Sequence, residues 1–170
     1  MSTTAVQEFR KSLSAADVES TVVTPDGVED AMLAAIERPA VGAPLPFTDL
    51  SLSGLPITVD PSPSELRDAV TGVTGSRLGI SSLGAVAVES RSGGDEFVSL
   101  YPERHVAVLR EQDIEPDLSS AFDWLSAEFE VGRESLIFAT GPSATGDMGA
   151  LVQGVHGPET VHVVVVTDDE

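Results

Sequence analysis

The sequence contains no cysteine, and this absence excludes several kinds of chemistry from the chain. Without thiols it cannot form a disulfide, supply a thiol nucleophile, or hold zinc or an iron–sulfur cluster through cysteine. Any redox role needs a bound cofactor or a partner, and the sequence assigns no cofactor to this chain. No apolar run approaches the ~18 residues of a membrane span, and the N-terminus lacks the pattern of a signal peptide. We therefore expect a cytoplasmic protein without a membrane partner.

Basic residues are also scarce. Lys and Arg total 9 against 28 Asp and Glu, Lys11 is the only lysine, and the formal net charge is -19. No basic stripe could neutralise phosphates, which speaks against nucleic acid as a partner. Hydrophobic residues still make up 41% of the chain, so the composition is typical of a folded domain. Scattered acids with so little lysine resemble proteins of salt-accumulating halophiles, and we interpret the charge as an adaptation to salt.

Apolar spacing and capping residues predict four helices. Thr24 followed by Pro25 indicates one helix start, and Ser62 with Glu65 forms a capping box before another. The longest predicted helix covers residues 117–129. The residues expected to face inward from the four helices are Ala5, Phe9 and Leu13; Val28, Met32 and Ile36; Leu66, Ala69 and Val70; and Leu118, Phe122, Leu125 and Phe129.

Valine-rich segments predict the strands of the fold. Residues 161–166 are apolar on both strand faces, which favours a central position with layers on both sides. RSGGDE (91–96) predicts a hairpin turn, and the Pro-rich residues 40–63 predict a connection to the main sheet that contains a strand LPITV. The other predicted strands are TVVT (21–24), GAVAVES (84–90), FVSLY (97–101), HVAVLRE (105–111) and ESLIFAT (134–140). Together the elements predict an α/β fold with a mixed or mostly parallel central sheet flanked by helices.

The stretch GPSATGDMGALVQGVHGP (141–158) is the strongest candidate for a site. Ligands of open α/β sheets bind beyond the carboxyl ends of strands, and this loop follows the predicted strand ESLIFAT. Its glycines allow close backbone approach, Ser143 and Thr145 carry hydroxyls, and His156 could transfer a proton. A glycine-rich turn whose polar side chains bind their own backbone fits the same residues. Both interpretations stay open on the pattern alone.

The three histidines do not predict a metal site, because no two of them stand at a ligand spacing. His105 and His162 each begin a predicted strand, and we expect both to be structural. His156 lies between glycines in the loop.

The loop residues carry a resemblance to a known family. TGPSATGDMGALVQGVHGPETVHVVVV (140–166) resembles the C-terminal signature of the lactate-utilisation LutC family, also called the YkgG or LUD-domain group. SLYPERHVAVL (99–109) and GISSLGAVAVES (79–90) are similar to earlier segments of that family, whereas residues 1–60 carry no diagnostic motif. The resemblance implies the fold of the NagB/RpiA/CoA-transferase-like group and a single LUD-type domain over residues 1–170.

The resemblance also implies a ligand site in this loop. Its candidate catalytic residues are Asp147 and His156. Its expected ligand-binding residues are Gly141, Ser143, Thr145, Asp147, Gly154, His156 and Gly157. Further matching positions are Pro142, Pro158, Gly84, Pro102 and His105. The chain departs from the family at four positions. Many relatives carry an acid and a threonine where this chain has Ser82 and Leu83, and a basic and an acidic residue at or near Ala144 and Gly149. A ligand would therefore depend more on backbone groups in this chain.

Three functions follow as expectations. The resemblance implies an accessory or ligand-binding subunit of lactate oxidation to pyruvate, with iron–sulfur partner proteins and a small organic acid or other anion as ligand. One alternative is an enzyme on small acyl or phosphorylated substrates that uses a glutamate, for which Glu89, Glu96 and Glu159 are the nominees. The other is a non-catalytic regulatory or interaction protein, marked by exposed apolar residues near Trp124 or Tyr101.

Overall fold

The computed structural model of the chain describes residues 2–145, 152–153 and 156–167. The helices in these residues are α1 (Ser2–Ala15), α2 (Val28–Ala35), α3 (Pro63–Asp68), α4 (Asp95–Leu100) and α5 (Leu118–Glu130). The strands are β1 (Glu19–Val23), β2 (Ala40–Gly42), β3 (Ile57–Val59), β4 (Thr71–Ser76), β5 (Gly79–Ile80), β6 (Ala85–Glu89), β7 (Arg104–Arg110), β8 (Ile114–Glu115), β9 (Leu136–Ala139), β10 (Ala144–Thr145), β11 (Val152–Gln153) and β12 (Thr160–Val166).

Six strands form a parallel sheet in the order β1-β12-β7-β4-β2-β3. β12 lies inside this sheet, and its valines alternate between two cores. Val164 and Val166 pack with the buried side of α2, whereas Val163 and Val165 pack with that of α1. The prediction of an interior strand over residues 161–166 is confirmed, and so is the α/β fold class. Continuous valine suits this position because both faces of the strand are buried.

A second, mixed sheet of four strands has the order β8-β5-β6-β9. Val86 of β6 packs in the same core cluster as Phe9 of α1, so this sheet lies on the α1 side of the main sheet. Ala85 and Ala87 pack instead with Ala121 of α5. The short strands β10 and β11 pair antiparallel with each other.

The predicted strand FVSLY and the hairpin before it are wrong. Residues 95–100 form helix α4, which begins after Gly94 in the left-handed conformation, with φ +77. Asp95 and Glu96 occupy the first turn, where negative charge interacts favourably with the helix dipole. Val98 is buried and its backbone lies over Gly72 of β4. Six residues, fewer than two helical turns, are too few to show a helical period, which explains why the apolar residues of α4 suggest a strand.

Residues 40–63 are not a connection to the main sheet, because β2 and β3 are two strands of that sheet. The predicted strand LPITV is confirmed in its last three residues. The capping box that starts α3 is also confirmed: the Ser62 hydroxyl accepts the Glu65 N–H, and the Glu65 carboxylate accepts the Ser62 N–H at 2.8 Å.

The remaining helices are confirmed, with differences at their ends and faces. Ile36 follows the end of α2, and Ala69 and Val70 follow the end of α3, so these three predicted inward positions lie outside the helices. Thr24 precedes a 3₁₀ turn, Pro25–Gly27, and α2 follows that turn. Helix α5 is present, but the residues predicted to face inward are largely exposed: Phe122 is 57% accessible. Of the four predicted residues Leu125 is buried, and the small residue Ala121 is the one that packs with the second sheet.

Candidate functional site

Two segments of the candidate loop meet at its base. Gly141 to Ser143 follow β9, and His156 to Pro158 precede β12. The Ser143 N–H donates to the Pro158 carbonyl at 2.8 Å, and the His156 N–H donates to the Ser143 hydroxyl at 3.2 Å. The structure therefore brings together Gly141, Ser143, His156 and Gly157 from the predicted set.

Close packing explains why glycine occupies two positions of this loop base. Gly141 has φ +98, and a Cβ there would lie 2.6 Å from the Ala16 carbonyl oxygen at the end of α1. A Cβ on Gly157 would lie 3.3 Å from the Ser143 Cβ. Both glycines thus have a structural role, whether or not a ligand also uses the space.

The loop base lies at the amino-terminal edge of the main sheet. The N–H groups of Glu159 and Thr160 both donate to the Glu103 carbonyl just before β7 begins. The strand that precedes the loop, β9, belongs to the second sheet and pairs antiparallel with β6. The rule that ligands bind beyond the carboxyl ends of parallel strands therefore does not apply to this loop.

The remaining predicted site residues fall into two groups. Asp147 and Gly154, together with the departure at Gly149, lie outside the described residues. Thr145 lies in β10, opposite Val152 of β11. The His156 side chain is exposed, and no hydrogen bond joins its ring to any residue among 2–145, 152–153 and 156–167.

Two of the upstream matching positions, Gly84 and His105, make packing contacts within the fold. Gly84 has φ +60 and touches α1, because a Cβ there would lie 2.7 Å from the Ser12 carbonyl carbon. His105 is buried in β7 and its Nε2 lies 2.9 Å from the Thr74 hydroxyl. Burial lowers the pKa of His105 to about 4, so this imidazole is neutral near pH 7. The predicted structural role of His105 is confirmed.

His162 belongs to a polar network that the sequence did not reveal. Its Nε2 lies 2.8 Å from the Thr21 hydroxyl, and its Nδ1 lies 3.2 Å from the Glu19 carboxylate. Arg104 also donates to Glu19, at 3.0 Å. The hydrogen bond from Arg104, followed by the one from His162, lowers the pKa of Glu19. His162 lies more than 140 residues from Thr21 and Glu19 in sequence, and only the β1–β12 register brings it to them.

A second ionic cluster surrounds Glu128 of α5. Its carboxylate pairs with both Arg77 and Arg133, and Arg77 also donates to Glu89 at 2.9 Å. The pKa of Glu128 is lowered to about 2, and the hydrogen bond from Arg133 is the largest cause. The Arg77 guanidinium lies 5.3 Å from the Trp124 ring centre, a cation–π distance. These contacts occupy Glu89, one of the three nominated glutamates.

The other two nominated glutamates lie outside the ionic cluster around Glu128. Glu96 lies in the first turn of α4, and Glu159 is exposed before β12. Among the residues that the structure describes, no group of three or more His, Asp or Glu could hold a metal ion. In the same residues no helix is long and apolar enough to cross a bilayer.

Comparison with known proteins gives consistent matches. A family model described as LUD domain matches residues 63–166. Lactate utilization protein C of Deinococcus radiodurans is 32% identical over 127 residues, which cover 74% of this chain and 59% of that protein. Lactate utilization protein C of Geobacillus sp. (strain WCH70) is 33% identical over 106 residues, covering 60% of this chain and 44% of the relative. The chain thus spans about half the length of the curated relatives it matches.

A solved structure shows the same fold. The crystal structure of a DUF162 family protein from Deinococcus radiodurans superposes with a TM-score of 0.75, over 96% of this chain and 96% of that chain. The two sequences are 23% identical, so this likeness concerns the fold alone.

Proposed function

The chain belongs to the LUD domain family, and from that premise we propose that it is an accessory or ligand-binding component of lactate oxidation to pyruvate, acting with iron–sulfur partner proteins in the cytoplasm. The observation that carries the proposal is the family match over residues 63–166, which contains the whole candidate loop. Two relatives of 32% and 33% identity are named Lactate utilization protein C. We further propose that residues 1–170 act as a single LUD-type domain.

The proposed division of labour follows from the chemistry that this chain carries. It has no cysteine to hold a cluster, so electrons removed from lactate would pass to the partner proteins. The chain would contribute the ligand-binding loop instead. At its base the Ser143 hydroxyl and the exposed His156 imidazole lie on adjoining segments and can bind the oxygens of a small organic acid. Because Ala144 and Gly149 stand in place of larger polar residues, backbone groups would supply the remaining contacts to the ligand.

Loop substitutions test the proposal in cells. In a strain that lacks the native gene, we expect His156→Ala and Asp147→Ala to reduce growth on lactate by at least about tenfold, because each removes a polar group from the proposed site. Asp123→Ala changes an exposed aspartate of α5 and serves as the matched control. Circular dichroism checks that the variants fold. Normal growth of both loop variants on lactate would contradict the site.

Co-purification at the native salt concentration tests the partner assignment. We expect the unmodified chain to bring down cysteine-rich proteins that show iron–sulfur absorbance. Lactate-dependent growth that needs the chain, without any such partner, would instead favour an enzyme acting alone. Recovery of partners unrelated to lactate oxidation would favour an interaction protein.

A further inference from the structure

A cleft of about 690 Å³ lies beside the edge strand β1. Arg10, Lys11 and Ser14 of α1 line one side of it. Ser20 of β1 and His162 of β12 line the sheet side. Polar and basic side chains from three elements thus face one space, and none of these residues was predicted as part of a site.

The cations of this cleft are unusual for this chain. Arg10 and Lys11 are the only adjacent pair among its 9 Lys and Arg, in a sequence with 28 acids. Neither forms an ion pair with any residue that the structure describes. Both lie before the last turn of α1, so neither is placed to offset the negative end of the helix dipole. The Arg10 Nε donates to the Ser20 hydroxyl at 3.4 Å, a neutral partner that leaves the charges of Arg10 and Lys11 to an anion in the cleft.

The sheet wall of the cleft is held in one arrangement. His162 is only 12% accessible and is fixed at both ring nitrogens, by Thr21 at 2.8 Å and by Glu19 at 3.2 Å. Arg104 neutralises Glu19, which leaves Asp17 as the other carboxylate that lines the cleft. A wall fixed before binding reduces the entropy cost of ordering a ligand against it.

The cleft adjoins the candidate loop. Gly141 packs against the carbonyl oxygen of Ala16, and the next residue, Asp17, lines the cleft. The loop base and the cleft therefore share the end of α1.

We propose that this cleft binds a small anion through a carboxylate or phosphate group, whose oxygens contact Arg10 and Lys11 opposite the fixed wall formed by His162. Paired cations bind such oxygens through charge-assisted hydrogen bonds, which are stronger than neutral ones. The site goes beyond the proposed role in lactate oxidation and does not depend on it, because an anion can bind here whatever the partners of the chain are.

Calorimetry on the full chain tests this site, with lactate, pyruvate, acetate and inorganic phosphate as probes at one ionic strength. We expect saturable binding of at least one probe, weakened about tenfold or more by Arg10→Gln with Lys11→Gln. Arg38→Gln with Arg67→Gln removes the same charge from two other exposed positions and should leave the affinity within about twofold. Equal weakening by both pairs, or no saturation by any probe up to about 10 mM, would overturn the proposal.

Chemical-shift mapping on the unmodified chain gives a second measurement that needs no variant to fold. Saturable shifts centred on Lys11, Ser14 and His162 support the cleft. Shifts confined to the loop would overturn it while leaving the proposed role in lactate oxidation intact. Loss of lactate growth in the loop variants, with anion binding unchanged in vitro, would likewise separate the two proposals.

Discussion

At the scale of single residues, His105 shows how burial fixes a protonation state that then governs stability. Its pKa in the fold is about 4, and the ordinary value is 6.5. Between these values the unfolded chain binds a proton that the folded chain does not. The contribution of the neutral, buried His105 to the stability of the fold is therefore complete above pH 6.5 and is lost as the pH falls toward 4.

Replacing this histidine should reduce the acid sensitivity. For the unmodified chain, the shift of His105 alone predicts a loss of about 2 kcal/mol in the free energy of unfolding between pH 7 and pH 5. We expect His105→Gln to remove most of that difference in urea titrations at the two pH values. Thr74→Val removes the same hydrogen bond but keeps the imidazole, so its pH difference should persist. An identical pH difference in His105→Gln and the unmodified chain would contradict the assignment.

Residues of the candidate site could be predicted only where they stand in one local motif. The loop pattern predicts Ser143 and His156, and the structure joins them by a hydrogen bond. The contacts of His162 with Glu19 and Thr21 could not be predicted, because they depend on which strand pairs with β1. Strand register is a tertiary property, and alternation within β1 shows only that Glu19 and Thr21 share a face.

At the scale of elements, the contact between α4 and β4 depends on a glycine. A Cβ on Gly72 would lie 1.8 Å from the Val98 carbonyl oxygen, which is backbone and cannot rotate away. We expect Gly72→Ala to lower the free energy of unfolding by about 3 kcal/mol, since α4 must move or β4 must bend. Urea denaturation gives the value.

Gly27→Ala is the matched control for this substitution. A Cβ there would make an ordinary contact at 3.4 Å with the Val23 Cβ, and Gly27 has φ -93. It should change stability by less than about 1 kcal/mol. Equal stability of Gly72→Ala and Gly27→Ala would mean that residues 95–100 do not pack on β4 as a helix.

The elements that were predicted correctly are those whose signal is local and repeated. α5 has a capping aspartate and thirteen residues, and β12 has a run of valines buried on both faces. α4 has six residues, fewer than two helical turns, so its apolar residues did not show a period. The predicted inward face of α5 is right at Leu125 and wrong at Phe122 for another reason: Ala121 packs with the second sheet, and larger residues such as Phe122 face outward.

At the scale of the whole molecule, the fold class could be predicted but the assignment of strands to sheets could not. The alternation of strands and helices indicates a layered α/β fold whatever the strand order. Placing β9 in the second sheet requires its pairing with β6, which lies about fifty residues earlier in the chain. Because of that single pairing, the candidate loop lies at the amino-terminal edge of the main sheet and not, as predicted, beyond the carboxyl end of one of its strands.

The net charge of -19 is also a property of the whole molecule, and it leads to a prediction about salt. The Debye length falls from about 30 Å at 0.01 M salt to about 3 Å at 1 M, so repulsion among the scattered acids is screened only in concentrated salt. We expect the helical circular dichroism signal to persist at 1 M KCl and to weaken on dialysis to 0.01 M. The melting temperature should fall by about 10 °C or more, equivalent to several kcal/mol at this chain length. Glycine betaine, a zwitterionic osmolyte without net charge, should not replace the salt if screening is the cause. Spectra that do not change with salt would contradict the halophilic interpretation.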